Sequence, residues 1–136
     1  MPAATEASAR AGFGDSVIGW KLDSGQRAEL LLMFPPKYPN AVADHVTLRS
    51  KAASDAALPD ERDGEIVGRA DDGEGVEAMV VRIDGTADRP DGSIYHVTWS
   101  LEAGREAKES NDVIAALGWT PFDLLVPVAL IPARFR

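Results

Sequence analysis

Two short tracts constrain this chain more than anything else in it: Asp44-His45-Val46-Thr47-Leu48 and Tyr95-His96-Val97-Thr98-Trp99. Their β-branched and aromatic residues favour extended backbone. Polar and apolar residues alternate in both, and on a strand residues i and i+2 share a face. His45 therefore projects with Thr47, and His96 with Thr98. Val46, Leu48, Val97 and Trp99 turn the other way and are candidate core. The fold must supply strands that are packed on one face and present an imidazole and a hydroxyl side by side on the other.

These two histidines are the only ones in the chain, and each is followed by Val-Thr although threonine is scarce. One motif alone reads most simply as a satisfied polar residue on a strand. The pair points to a single two-histidine site. Imidazole titrates near neutrality, so one ring can be neutral while the other is charged. That combination supplies the general base and general acid for phosphoryl transfer. The hydroxyls of Thr47 and Thr98 are placed to donate to non-bridging phosphate oxygens. A zinc site would need third and fourth ligands at recognisable spacing, and no such cluster is visible. The expectation is no metal and no cofactor.

The rest of the chain is read for organisation. Residues 1–16 are small and polar and are expected to form a flexible N-terminal arm, with a single domain over 17–136. Residues 17–22 read as a strand and Asp23-Ser24-Gly25 as a turn or helix start. Residues 27–34 (RAELLLMF) read as a short helix by composition, with a buried strand as the alternative for the apolar run, ended by Pro35-Pro36. Residues 50–63 are the expected long loop. Residues 65–70 and 76–84 read as a hairpin around Asp71-Asp72-Gly73-Glu74-Gly75. Residues 88–92 (DRPDG) make another turn, and 94–101 a strand. Ser110 is the expected N-cap of a helix to Leu117, with Gly118 ending it. Residues 122–131 close the chain as a strand, and Pro127 argues for an edge or a bulge there.

Composition sets limits on function. The chain has 136 residues, is 45% apolar and 26% charged, and lacks cysteine. That suits one ordinary globular domain and fits a reducing, cytoplasmic setting. No apolar run approaches the length of a membrane span. The net charge of −8 disfavours an extended nucleic-acid duplex as partner. A local cationic pocket for a small phosphate-bearing ligand, or for the end of a strand, remains compatible with it. Other candidate contacts are Tyr38 for base stacking and Lys108, Ser110 and Asn111 at a helix start for phosphate. Capping is the simpler role of Ser110, and packing on prolines that of Tyr38. Arg105, Arg134 and Arg136 are basic side chains with solvation as the default.

The paired His-x-Thr motifs, each followed by a hydrophobic residue, resemble the signature of the 2H phosphoesterase superfamily. Tyr38-Pro39-Asn40 leading into the first motif, and Lys108-Glu109-Ser110-Asn111 after the second, look most like its tRNA ligase-like cyclic phosphodiesterase branch. The resemblance covers residues 17–131. It implies an α+β fold of two pseudo-symmetric lobes, with antiparallel strands and short helices around a central cleft. It implies His45 and His96 as the acid/base pair and Thr47 and Thr98 as phosphate binders. It also implies a metal-independent hydrolase acting on a cyclic phosphate or 2′-linked phosphodiester of a nucleotide or RNA end. Two alternatives share the architecture. One is a module that binds a nucleotide or cyclic dinucleotide without cleaving it, and the other degrades cyclic oligonucleotides.

Overall fold

The computed structural model describes residues 2–135. Strand β1 (Ser16–Leu22) leads into helix α2 (Ser24–Met33) through Asp23, whose carboxylate accepts from the Gln26 amide at 3.0 Å. This cap starts the helix earlier than composition alone suggests. Ahead of both, helix α1 (Ala4–Ala9) occupies part of the expected arm. Ala4, Ala7 and Ala11 are buried, and the Ala4 amide donates to both oxygens of Glu61 at 3.0 and 3.1 Å. Within the expected arm, the segment from Ala4 to Ala11 thus packs on the domain through its alanines. Alanine is small enough to lie flat on a sheet, which a reading based on polarity misses.

The two-residue strand β2 (Asn40–Ala41) precedes β3 (His45–Ala52). Strands β4 (Asp63–Asp71) and β5 (Val76–Arg82) form the expected hairpin. Its acids make the turn: Asp71 accepts from the Gly73 amide and Asp72 from the Glu74 amide, both at 2.8 Å. Strand β6 (His96–Leu101), helix α3 (Glu109–Leu117) and strand β7 (Thr120–Phe135) complete the chain. Gly118 ends α3 with φ 72°, as expected. Ser110 is not its cap. It lies inside the first turn, Lys108 is the capping residue, and the Ser110 hydroxyl is turned to Thr98.

All strand pairs are antiparallel, and their order β6-β3-β1-β7-β4-β5 closes through β5–β6 into a six-stranded barrel, with β2 added beside β6. Antiparallel strands with few short helices are therefore as expected. All six are joined into one barrel. The reason is the length of β7. Its 16 residues pair with β1 from Leu130 to Phe135 and with β4 from Thr120 to Ala129, so one strand stitches the two halves together.

Pro127 sits where β7 has β4 on one side and has not yet met β1. The strand is thus locally an edge, as proline requires. Gln26 fills the gap: its amide donates to the Pro127 carbonyl at 3.2 Å and accepts from the Ala129 amide at 2.5 Å. The core gathers the side chains that alternate away from the histidines, among them Val46, Leu48, Val97 and Trp99. Trp99 and Trp20 are fully buried, and each donates its indole N–H at 2.8 Å, to the carbonyls of Phe34 and Glu61. Among the described residues no helix is long and apolar enough to cross a membrane.

Candidate active site

The motif strands β3 and β6 are direct neighbours, paired antiparallel with Val46 opposite Val97. That contact sets the two motifs side by side. A local two-fold axis therefore runs between Val46 and Val97. Both valines are fully buried, so the four polar side chains stand on the opposite, outer face of the barrel wall.

These four residues line one cavity of about 520 Å³. Lys21 and Phe135 wall one side, and Arg89, Lys108 and Asn111 the other. The ring of Phe135 lies 4.6 Å from that of His45, centre to centre. Lining cations are Lys21, Arg49, Arg89 and Lys108, against the carboxylates of Asp44 and Asp91. The mouth is thus locally positive on a protein of net charge −8.

Both imidazoles have their tautomers set by neighbours. His96 donates from Nδ1 to the Ile94 carbonyl at 2.9 Å, which leaves Nε2 as the exchanging nitrogen. His96 is only 8% exposed. Burial pushes its pKa below the ordinary value; the Ile94 hydrogen bond opposes this, and the charges of Arg89 and His45 add to it. His45 donates from Nδ1 to Asp44 at 3.0 Å, which again leaves Nε2 free. Asp44 is held in turn by Lys21 at 3.8 Å. Upstream, Arg27 donates to the carbonyls of Val42 and Ala43, both at 2.9 Å, and so steadies the turn into His45.

The threonines differ. The Thr98 hydroxyl has one proton and donates it to the Ala107 carbonyl at 3.1 Å, so Ser110, 2.8 Å away, is the donor to Thr98. Thr98 can bond a phosphate only by exchanging that partner. The Thr47 hydroxyl has no hydrogen-bond partner among the described residues and is available as it stands.

Arg89 is the residue that sequence reasoning missed. In Asp-Arg-Pro-Asp-Gly it reads as a solvated turn residue, yet it is 7% exposed. Its Nε donates to Ser93 at 2.6 Å and to Asp91 at 3.3 Å, Nη1 to the Thr47 carbonyl at 3.2 Å, and Nη2 to Asn111 at 2.8 Å. It ties the turn to both the first motif and α3, and each terminal nitrogen keeps a second N–H beyond these bonds. Burial disfavours the Asp91 carboxylate, but hydrogen bonds from Ser93 and the nearby Arg89 charge hold it ionised below its usual range. Only a local signal existed for this: arginine between two aspartates in a turn.

Of the remaining candidates, Lys108 and Asn111 line the cavity, while Ser110 lies behind it, fully buried against Thr98. Tyr38 is elsewhere. Its hydroxyl donates to Asp71 at 2.6 Å, in a network with Lys37, Arg69 and the buried Glu77. Arg105 is paired with Asp72 at 2.9 Å and Glu109 at 3.1 Å. Arg134 donates to Ser16 at 3.3 Å and to the Ala53 carbonyl at 3.1 Å, and Arg136 lies outside the described residues. No group of three or more His, Cys, Asp or Glu side chains placed to hold a metal occurs among the described residues. No protein-family model, no curated protein and no solved structure matches the chain.

Proposed function

We propose that the chain is a phosphoesterase that hydrolyses a cyclic phosphate or 2′-linked phosphodiester at a nucleotide or RNA end, with side chains alone moving the protons. The observation that carries this reading is that His45, His96, Thr47 and Thr98 line one locally cationic cavity. The neutral Nε2 of His96 takes a proton from water as its oxygen bonds to phosphorus in line. The bond from phosphorus to the ribose oxygen opposite breaks, and a doubly protonated His45, its Nδ1–H kept on Asp44, gives its Nε2 proton to that oxygen. One proton enters the protein and one leaves, so the balance closes after exchange with solvent. Thr47, Arg89 and Lys108 stabilise charge on the non-bridging oxygens.

Membership of the 2H phosphoesterase superfamily belongs to the same reading. So does a view of the barrel as two pseudo-symmetric lobes, one around each motif, and both views rest on the local two-fold relation of β3 and β6. The test is turnover of 2′,3′-cyclic nucleotides and 2′,5′-linked dinucleotides, with a chelator present, by wild type, His45→Ala and His96→Ala. Each variant is expected to lose on the order of a hundredfold or more in rate. Absence of wild-type turnover, or a variant with wild-type activity, sinks the proposal.

One observation favours a second reading, a nucleotide-binding module without turnover: the commitment of Thr98 to Ala107 and Ser110. Calorimetry beside a chromatographic product assay separates the two, because saturable binding without product is expected only of the module.

A further inference from the structure

The histidine cavity does not end at Arg49. A second hollow of about 560 Å³ lies beyond it, and Leu48, Arg49, Ser50 and Asp91 border both. Its far wall is the docked N-terminal segment, including Ser8, Ala9 and Phe13.

Phe13 is 87% exposed, the most solvent-facing of the large apolar side chains among the described residues. It is not on a loose loop. The Gly14 amide donates to the Lys51 carbonyl at 3.1 Å, and the Ala53 amide to the Ala11 carbonyl at 3.0 Å. Arg49 donates to the carbonyls of Ser8 and Gly12 and holds its guanidinium 5.9 Å from the centre of the Phe13 ring. A rigid mount that keeps an aromatic ring in water costs apolar exposure and offers a flat face.

The charge beside that ring is not cancelled. Arg49 spends its donors on backbone carbonyls, and neither Arg49 nor Lys51 forms an ion pair among the described residues. Lys51 also sits at φ 53°, a left-handed conformation that a lysine rarely adopts, within the β3 bulge where β1 and β3 shift register. A flat ring, two cations outside any ion pair and continuity with the histidine cavity are the elements of a single-stranded nucleic-acid groove.

We propose that this hollow is a second nucleotide subsite. A nucleobase stacks on Phe13, and the phosphodiester joining its nucleotide to the reacting one lies along Arg49 and Lys51. The inference rests on the phosphoesterase reading and narrows it: the substrate is the end of a single-stranded RNA, not a free mononucleotide. A duplex cannot use the subsite, because its bases are already stacked and paired.

Two measurements keep this inference separable from the reading beneath it. The first is direct binding, by fluorescence anisotropy, of a labelled single-stranded tetraribonucleotide ending in an uncleavable 3′-phosphate. Phe13→Ala and Lys51→Ala are each expected to weaken it by about tenfold, and Phe13→Trp to restore it. The second is turnover of a 2′,3′-cyclic mononucleotide against a tetranucleotide with the same cyclic end. Phe13→Ala is expected to raise KM for the tetranucleotide alone and to leave kcat unchanged. If Phe13→Ala binds the tetranucleotide like wild type, or alters both substrates equally, the subsite is wrong. Tight, Phe13-dependent binding without turnover of either substrate supports the subsite and overturns the phosphoesterase reading alone.

Discussion

His45 and His96 are the same side chain in unlike surroundings, and the pH behaviour follows from the difference. His96 is buried beside Arg89 and resists protonation, so its folded pKa lies below the ordinary 6.5. The acid limb of the kcat/KM profile is therefore expected below pH 6.5. In Arg89→Met one repulsive charge is gone, and that limb moves upward. The sign for stability runs the same way. The unfolded chain takes up the proton more readily, so His96 contributes stability above its unfolded value that is lost as pH falls through the folded one. Arg89→Met also strands the Thr47 carbonyl and the Asn111 side chain. A cost of about 1–3 kcal/mol is expected in denaturant unfolding at neutral pH. The threonines separate rate from stability. Thr47→Val should cost a hundredfold or so in kcat and leave the unfolding midpoint near wild type. Thr98→Val should also destabilise by about 1–3 kcal/mol, because the Ala107 carbonyl and the buried Ser110 hydroxyl lose their partner.

At the scale of elements the site depends on how closely β1 approaches β3. Gly19 faces Thr47 in that pair, and a Cβ there would meet the Val46 carbonyl oxygen at 2.2 Å and the Thr47 Cα at 3.1 Å. Backbone cannot yield as a flexible side chain can. Gly19→Ala is expected to push β3 outward, with a stability cost of about 1–3 kcal/mol and a fall in kcat, since the first motif moves with its strand. Thermal unfolding and turnover on one preparation check both. If activity survives while stability drops, the motif geometry tolerates a displaced β3 and the placement argument fails. The β3–β6 register has a matching role. It sets the two motifs side by side, and a one-residue slip of either strand would turn that strand's histidine into the core.

For the molecule as a whole, closure and charge act together. A barrel closed through β5–β6 leaves the motif strands without a free edge, so their spacing is held from both sides. The cationic mouth sits on a surface of net charge −8. Attraction of an anionic substrate is then local and unsupported by the far field. Raising ionic strength from about 0.05 to 0.5 M shortens the Debye length to a few ångström and should raise KM severalfold while kcat stays flat. Lys108→Glu, which puts a negative charge at that mouth, should raise KM at low salt and flatten the salt dependence.

Features local along the chain were legible from residue order alone. Alternation in His-Val-Thr decided which side chains share a face, and it did so for both motifs before any partner strand was known. The Asp23 cap, the Gly118 stop, the Asp-rich hairpin turn and the punctuating prolines follow from single-residue preferences of the same short range. The tertiary structure decided everything that needs two distant segments. Adjacency of β3 and β6 comes from closure of the barrel, and that closure comes from a long β7 able to reach both β1 and β4. Burial of Arg89 comes from a turn folded over the cavity. Periodicity reports direction, not distance, so an arginine between aspartates looks the same whether it faces water or two motif strands. Ser110 and the alanines of α1 were misread for the same reason: a small polar or apolar side chain declares its partner only when another part of the chain arrives beside it. The paired motifs were legible because their signal is internal to each strand, and the walls of their cavity were not because no single strand contains them.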